Sequence, residues 1–559
     1  MKNDEIFVSH DGYQVLKYHG SYQQDNREKR AKGQQKAYSF MLRLKMPCGE
    51  VPPALHQKLD DLCDTYGEHH LRATTRQAYQ LHGVMKGELK EVIAQLMEMG
   101  SSTVGACGDV SRNVMCTPAP KVSKPYAYAR EYSKVMAELL KPSSTAFTEL
   151  WLGNERVAAQ EYWRKDIDDE KVQEAAAFDS GRGIILDDKV EPLYGKQYLP
   201  RKFKIAVTVP GDNSIDIYIS DIGLVVVTDP DNNDELLGFN VMVGGGMGRT
   251  HNKETTFARA ADHLGFVGKD DVMELCKAIL ATQRDHGNRE VRANARMKYL
   301  VHNLGIDSFR TLVETYFGKP VEAWKPMVPW KYSDWMGWHE QGDGKLFLGV
   351  NVEQGRVKNE GDMQLKTMLR VIADKYQLPM VLSPTQSLII KDIPPALKGE
   401  IEACLASHGV KMIDEIDPLT RLSIACPALP MCGLAITEAE RLMPSFVERM
   451  RALLIKMDLN SEEIMMRMTG CPNGCARPYM AELAFVGDGP KSYQVWVGGS
   501  PVLEGRTGFV LKDRVHTDKW EETLEPLLAL FKADRTSAAE SFGDFCSRVG
   551  LAKLEAQWA

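Results

Sequence analysis

Leu42-Arg-Leu-Lys-Met-Pro-Cys-Gly-Glu-Val51 returns, 306 residues further on, as Leu348-Gly-Val-Asn-Val-Glu-Gln-Gly-Arg-Val357. Both stretches join an alternating apolar strand to a glycine turn. A second pair keeps almost the same offset: Thr74-Thr-Arg-Gln-Ala-Tyr-Gln-Leu81 is echoed 309 residues later by Ser383-Pro-Thr-Gln-Ser-Leu-Ile-Ile390. Between them lie helical patterns, Ala54 to Tyr66 in the first copy and Met363 to Tyr376 in the second. The order strand, turn, helix, strand thus occurs twice, which predicts two half-domains pairing across the fold.

A fainter repeat lies outside the first. Val225-Val-Val-Thr-Asp229 followed by Gly238-Phe-Asn-Val-Met-Val-Gly-Gly-Gly246 resembles Ala484-Phe-Val-Gly-Asp488 followed by Ser492-Tyr-Gln-Val-Trp-Val-Gly-Gly-Ser500. Each copy reads as a hairpin ending in a glycine loop, where backbone must approach something closely. The loop 244–248 lacks the G-x-G-x-x-G register of a dinucleotide site, and no phosphate-binding loop is visible elsewhere. NADPH and flavin are not expected to bind this chain.

Four thiols stand beside the later copy: Cys426-x5-Cys432 and Cys471-x3-Cys475. Thiolates in fours are the usual ligands of a 4Fe-4S cluster, whereas structural zinc favours Cys-x2-Cys or mixed Cys and His pairs. Pro427, Pro430, Pro472 and Gly474 put these sulfurs on tight turns. Buried thiols packed as small hydrophobes are the competing reading, and it suits Cys48, Cys63, Cys107, Cys116, Cys276, Cys404 and Cys546. Cys107 and Cys116, upstream of the earlier copy, do not reproduce the paired spacing. One half alone is expected to carry a cluster.

The segments Ile424 to Arg441 and Thr469 to Pro478 resemble the sirohaem and iron-sulfur site of assimilatory sulfite reductases. The likeness continues in order through His19-Gly-Ser-Tyr-Gln-Gln24, Arg72-Ala-Thr-Thr-Arg-Gln77, Gly105-Ala-Cys-Gly-Asp-Val-Ser-Arg-Asn113, Leu199-Pro-Arg-Lys-Phe-Lys204 and Gly244-Gly-Gly-Met-Gly-Arg-Thr-His251. Among the branches of that family the chain is most similar to the ferredoxin-dependent one. The resemblance implies an α+β protein of three interleaved domains with pseudo-two-fold duplication: ferredoxin-like half-domains 41–105 and 338–405, a first sirohaem-binding domain 106–337, and a second, 406–559 with 1–40, carrying the cluster. It also implies six-electron reduction of sulfite to sulfide, with reduced ferredoxin as donor. An NADPH flavoprotein subunit as donor, or nitrite as substrate, are the alternatives.

By the same resemblance, Cys426, Cys432, Cys471 and Cys475 hold the 4Fe-4S cluster and Cys475 is shared with the sirohaem iron. A helix beginning near Ala476 is expected to help stabilise the cluster's charge. Arg43, Arg112, Lys202 and Lys204 match the family's substrate ligands; Arg72, Thr74, Arg76, Gln80 and His82, read as alternating along one strand, and Asn473 match its sirohaem contacts. The chemistry agrees: Arg grips an oxyanion with a rigid fork of donors, while a Lys crowded by cations gives up its proton more readily. Lys202 and Lys204 flank Phe203, so on a strand both amines face one side. Alternating lysines guard an exposed strand edge equally well. The basic run Arg284, Arg289, Arg292, Arg296 and Lys298, read as one helix with its approach, offers further partners for sirohaem carboxylates or simply a solvated face.

Composition sets the frame for these readings. At 559 residues the chain exceeds one core, and 43% hydrophobic with 26% charged residues is ordinary for a globular protein without a membrane span. A net charge of −7 argues against a nucleic-acid binder working through a global positive field. The first residues lack secretory or transit character, and eleven cysteines without framework spacing suit a reducing, cytoplasmic compartment. Twelve residues precede Tyr13, where relatives have several tens, so contacts made by such an arm are not expected here.

Overall fold

The computed structural model describes residues 5–143, 150–152, 155–158, 161–503 and 505–558; the first four residues of the N-terminal reading lie outside them. The chain divides into two compact units. The first comprises Met1–Gln23, Tyr38–Gly245 and Ala261–Ile413; the second comprises Gln24–Ala37, Gly246–Ala260 and Asp414–Ala559. No helix among the described residues is long and apolar enough to cross a membrane.

The early repeat forms two five-stranded sheets in the first unit. One runs Ser21–Asp25, Tyr38–Arg43, Tyr79–Val84, Leu71–Ala73, Arg356–Val357; the other runs Gly337–Glu340, Leu346–Val350, Leu388–Ile393, Met380–Leu382, Glu50–Val51. The fifth strand of each sheet comes from the other copy. The sequence offset of 306 is therefore a reciprocal exchange, Arg356 pairing with Arg72 and Glu50 with Val381. The turns that make the exchange possible also match. Cys48 and Gln354 take φ of 62° and 52° ahead of Gly49 and Gly355, and Gln77 and Gln386 take 51° and 66°. A side chain on Gly49 or Gly355 would meet the Leu382 or Ala73 carbonyl, so only glycine lets each crossing strand come this close. Helices Pro53–Tyr66 and Leu365–Asp374 cover the sheets, burying Leu55, Leu59 and Leu62 against Leu365, Met368, Leu369 and Ile372 in one shared core.

The fainter repeat gives two sheets of one topology, one in each unit. In the first, Met115–Cys116, Ile205–Thr208 and Ile222–Asp229 run parallel and Glu235–Val243 and Asp262–Gly268 follow antiparallel. In the second, Ile424–Ala425, Met466–Thr469, Leu483–Gly489, Ser492–Val497 and Phe509–His516 repeat that order and those directions. Pairing sets Ile222 opposite Val243 and Leu483 opposite Val497. The equivalence of the middle strands thus differs by two residues from the sequence reading. A slip of two preserves which face each side chain takes, so the apolar pattern alone could not detect it. Gly244 and Gly498 share φ of 81° and 83°, and a Cβ on Gly245 or Gly499 would collide with the carbonyl of Tyr218 or Ala481.

Two local expectations are corrected. The basic run is not one helix with its approach: Val272–His286 ends before Gly287, and Met297–Leu304 starts afresh. Arg284 is buried and donates to the Ile184, Leu193 and Gly183 carbonyls. Buried arginine must satisfy its five donors, and here three backbone carbonyls and the neighbouring Asp285 carboxylate do so. Likewise Arg72, Thr74, Arg76, Gln80 and His82 do not alternate along one strand; they span a hairpin, Leu71–Ala73 and Tyr79–Val84, whose turn is tied by the Thr74 hydroxyl donating to the Ala78 carbonyl at 2.8 Å.

Candidate functional site

In the first unit the ladder pairs Arg43 with Gln80, Gln80 with Arg72, and Arg72 with Arg356. Residues directly opposite one another share a face, so three guanidiniums and one amide form a row across the sheet. With its amide turned to satisfy both neighbours, Gln80 accepts from Arg43 Nε at 2.9 Å and Nη2 at 2.6 Å, and donates to His82 Nε2 at 3.1 Å. Arg43 Nη1 also reaches Cys107 Sγ at 3.4 Å. Burial first, then Arg72, His70 and Arg43, hold His82 well below the usual histidine range. The ring is neutral, and the positive charge of this face resides on arginine. Such a face suits a ligand bearing several carboxylates.

Arg356 did not emerge as a site candidate from sequence. Its signal was in the repeat, since Gly355-Arg-Val357 stands where the first copy has Gly49-Glu-Val51. The corresponding row of the other sheet is Gly349, Ile389, Val381 and Glu50. There Val381 and Ile389 are buried in an apolar cluster with Ala119 and Phe347, against which Tyr126 and Trp335 pack. A Cβ on Gly349 would strike the Trp335 carbonyl. One copy keeps a cationic face, and its twin is filled by the chain itself.

A parallel bridge between Ser111 and Phe203 sets Arg112 beside the lysines, with Arg112 N–H donating to the Phe203 carbonyl at 3.0 Å. Phe203 is fully buried while Lys202 and Lys204 on either side are partly exposed. Strand alternation thus holds at this one bridge, just before strand Ile205–Thr208. Arg112 is steadied by Nε and Nη2 bonds to the Gly108 carbonyl at 3.1 and 3.0 Å. Arg76 donates to the Asn113 carbonyl and to Met115 Sδ at 2.6 Å. Burial, then Lys202, Arg76 and Arg296, push the Lys204 amine well below the usual lysine range, opposed by Asp221. A lysine so placed gives up its proton more readily than a solvated one.

The second unit gathers the four thiols. Burial pushes Cys426 well up, and the Cys475, Cys471 and Cys432 sulfurs push it further; Cys471 is driven to about 11 by burial and then by Cys475. Cys432 is raised by burial and again by Cys475. Four thiolates cannot share this space without positive charge, which iron supplies. Donors already point at sulfur: Gly470 N–H lies 3.4 Å from Cys426 Sγ and Asn473 Nδ2 3.5 Å from Cys471 Sγ. The donor set therefore fits an iron-sulfur cluster. Among the described residues no His, Cys, Asp or Glu group gathers tightly enough for a single metal ion. The expected helix near Ala476 is replaced by a single 3-10 turn, Pro478–Met480, after left-handed Arg477. Pro478 opens the turn, and the buried Tyr479 within it donates its hydroxyl to the Pro472 carbonyl at 2.9 Å.

This pairing of a duplicated ferredoxin-like fold with a thiol quartet and an arginine row defines an oxidoreductase of the nitrite and sulfite reductase family, to which the chain belongs. Residues 32–99 and 339–408 match the nitrite/sulfite reductase ferredoxin-like half domain, and 158–321 match the nitrite and sulphite reductase 4Fe-4S domain. The latter stretch holds one cysteine, Cys276, so what it shares with the family is the sheet that the second unit repeats around the thiols. The chain is 52% identical to a sulfite reductase [ferredoxin] of Synechococcus elongatus over 99% of its own length and 87% of that protein's. It is 39% identical to a sulfite reductase [NADPH] hemoprotein beta-component of Staphylococcus saprophyticus, over 97% and 91%. The structure of Mycobacterium tuberculosis NirA protein superposes with a TM-score of 0.75 at 22% identity, covering 98% of this chain and 92% of that one, which shows the fold. Family membership brings the cofactor pair that the sequence implied, sirohaem and a 4Fe-4S cluster.

Proposed function

We propose that this chain reduces sulfite to sulfide in the cytoplasm, taking electrons from reduced ferredoxin. The observation that carries the reading is the set of cations around Lys204 in the first unit, with the Synechococcus relative's ferredoxin dependence supporting the donor. When bound, sirohaem coupled to the cluster supplies single electrons to sulfur. Cys426, Cys432, Cys471 and Cys475 would hold the cluster with Cys475 shared, and Asn473 would support it. Arg72, Thr74, Arg76, Gln80 and His82 would contact sirohaem, the arginines taking its carboxylates.

Arg43 and Arg112 grip the oxyanion. Both are pre-oriented, Arg43 by Gln80 and Cys107 and Arg112 by the Gly108 carbonyl, so little rotamer freedom is lost on binding. Lys202 and Lys204 donate protons to the departing oxygens.

The test is steady-state reduction of sulfite and of nitrite by the purified holoenzyme with reduced ferredoxin, with NADPH, and with a small neutral reductant. Ferredoxin-driven turnover should fall steeply with added salt, as expected for an electrostatically steered encounter. Efficient turnover with NADPH, or nitrite outpacing sulfite, would overturn the reading.

A further inference from the structure

Asp221 is fully buried at the entrance to strand Ile222–Asp229 and touches Lys204 through backbone in both directions. Its Oδ2 accepts from the Lys204 N–H at 2.9 Å, and its own N–H donates to the Lys204 carbonyl at 2.9 Å. The Asp221 carbonyl accepts from Gly244 N–H at 3.1 Å. Opposite stands Arg296, 7% exposed, with Nη2 on Oδ2 at 2.7 Å, Nε on Oδ1 at 3.3 Å and a further bond to the Gly245 carbonyl at 3.2 Å. One carboxylate thus ties a lysine peptide, a glycine loop and a buried guanidinium together.

The second unit holds a similar carboxylate clamp, in which Arg506 bonds the Gly498 carbonyl of the glycine loop and Asp544. Glu482 accepts from the Met465 N–H at 2.7 Å, Leu483 N–H returns to the Met465 carbonyl at 3.2 Å, and the other carboxylate oxygen takes Gly543 N–H at 3.2 Å. A carboxylate here is a device of the scaffold. The arginine on it occurs where the clamped residue is a lysine.

We propose that Asp221 and Arg296 form a positioning pair for Lys204, fixing its peptide so that its amine stands in one place among the site's cations and setting how readily that amine releases its proton. The inference rests on the catalytic reading of Lys204 given above. Facing that amine are Lys202 from its own segment, Arg76 from the hairpin turn, Arg296 from the approach to Met297–Leu304, and Asp221. Arg296 opposes its protonation and Asp221 favours it. The two members of the pair therefore act on Lys204 in opposite directions, which damage to the fold would not.

The test uses holoenzyme variants Asp221→Asn, Arg296→Gln, the neutral double variant of both, and Lys204→Met. The readouts are cofactor content, the pH midpoint of Lys204 acetylation by acetic anhydride followed by peptide mass spectrometry, and kcat/KM for sulfite. The labelling midpoint should fall in Asp221→Asn and rise in Arg296→Gln with cofactor content unchanged. Sulfite kcat/KM should fall about tenfold in Asp221→Asn, and adding that change to Lys204→Met should cost nothing more. If Lys204→Met turns over like wild type, the reading of Lys204 itself is wrong. If Lys204→Met is impaired while Asp221→Asn labels and turns over like wild type, or both midpoints move the same way, the positioning pair alone is overturned. Should either single variant fail to fold, the double variant decides through kcat/KM, since its two opposite effects on the amine offset each other: wild-type kcat/KM in it would refute the pair.

Discussion

The two sheets built from the fainter repeat share strand order, strand direction and glycine loop, yet one is set among cations and the other among thiols. Strand pairing aligns Ile205 with Met466 and Cys116 with Ala425. Carried along the loops, this puts Thr117 where the second sheet has Cys426, Pro210 where it has Cys471, and Ser214 where it has Cys475. In the first unit the Thr117 hydroxyl donates to Asp212 Oδ2 at 2.5 Å, and Asp212 Oδ1 takes the Ser214 N–H at 2.9 Å. Conversely, Lys204 aligns with Met465 and Lys202 with Glu463. A common backbone is thus compatible with either chemistry. The few residues at the strand ends decide between them.

The sharpest way to break this comparison is at the thiols. Cys471→Ser and Cys426→Ser should each yield protein without a 4Fe-4S cluster, because a hydroxyl is a poor ligand for iron in a sulfur site. Ser214→Cys in the first unit should bind none. Iron and acid-labile sulfide report both, and full occupancy in either serine variant would remove the assignment.

Next in size comes the shared scaffold. Gly245→Ala and Gly499→Ala should each lower stability by about 1–3 kcal/mol, since the new methyl meets a strand carbonyl. Gly87→Ala, whose methyl would meet no neighbouring atom, should lower it by far less. Thermal unfolding midpoints test this, and a module that tolerates the change would not be using the loop as its twin does.

Substrate choice should move by about one order of magnitude. Lys204→Asn is expected to lower the sulfite-to-nitrite ratio of kcat/KM about tenfold, or ~1.4 kcal/mol, because the Coulomb attraction grows with substrate charge. Both constants measured with one donor settle it. A ratio that stays put or rises would leave nitrite as good a substrate assignment as sulfite.

The smallest effect separates Asp221 from Glu482. Burial pushes the Glu482 carboxyl above its usual range. A raised carboxyl contributes its stability in full below the unfolded value, near 4.5, and loses it as pH climbs through the folded value. Glu482→Gln should therefore gain on wild type as pH rises from 5 to 8. Unfolding midpoints at the two pH values check this. A difference that does not change with pH would mean the carboxyl is not perturbed.

Much of the molecule is legible in the chain itself. The 306-residue offset announces the exchanged half-domains because glycine turns and alternating strands leave a local imprint, and Cys-x5-Cys with Cys-x3-Cys announces the cluster because soft-metal ligands need unusual residues at short range. Tertiary structure alone decided the rest. Which arginines face the ligand side depends on sheet register: Arg356 joins Arg72 through a strand borrowed from the other copy, whereas Arg284, equally basic in sequence, spends its donors on backbone carbonyls and the adjacent Asp285 carboxylate. Asp221 looked like one acid among many until folding put it on both peptide groups of Lys204. Charge and hydrogen bonding act over a few ångströms in space, and sequence measures distance only along the chain.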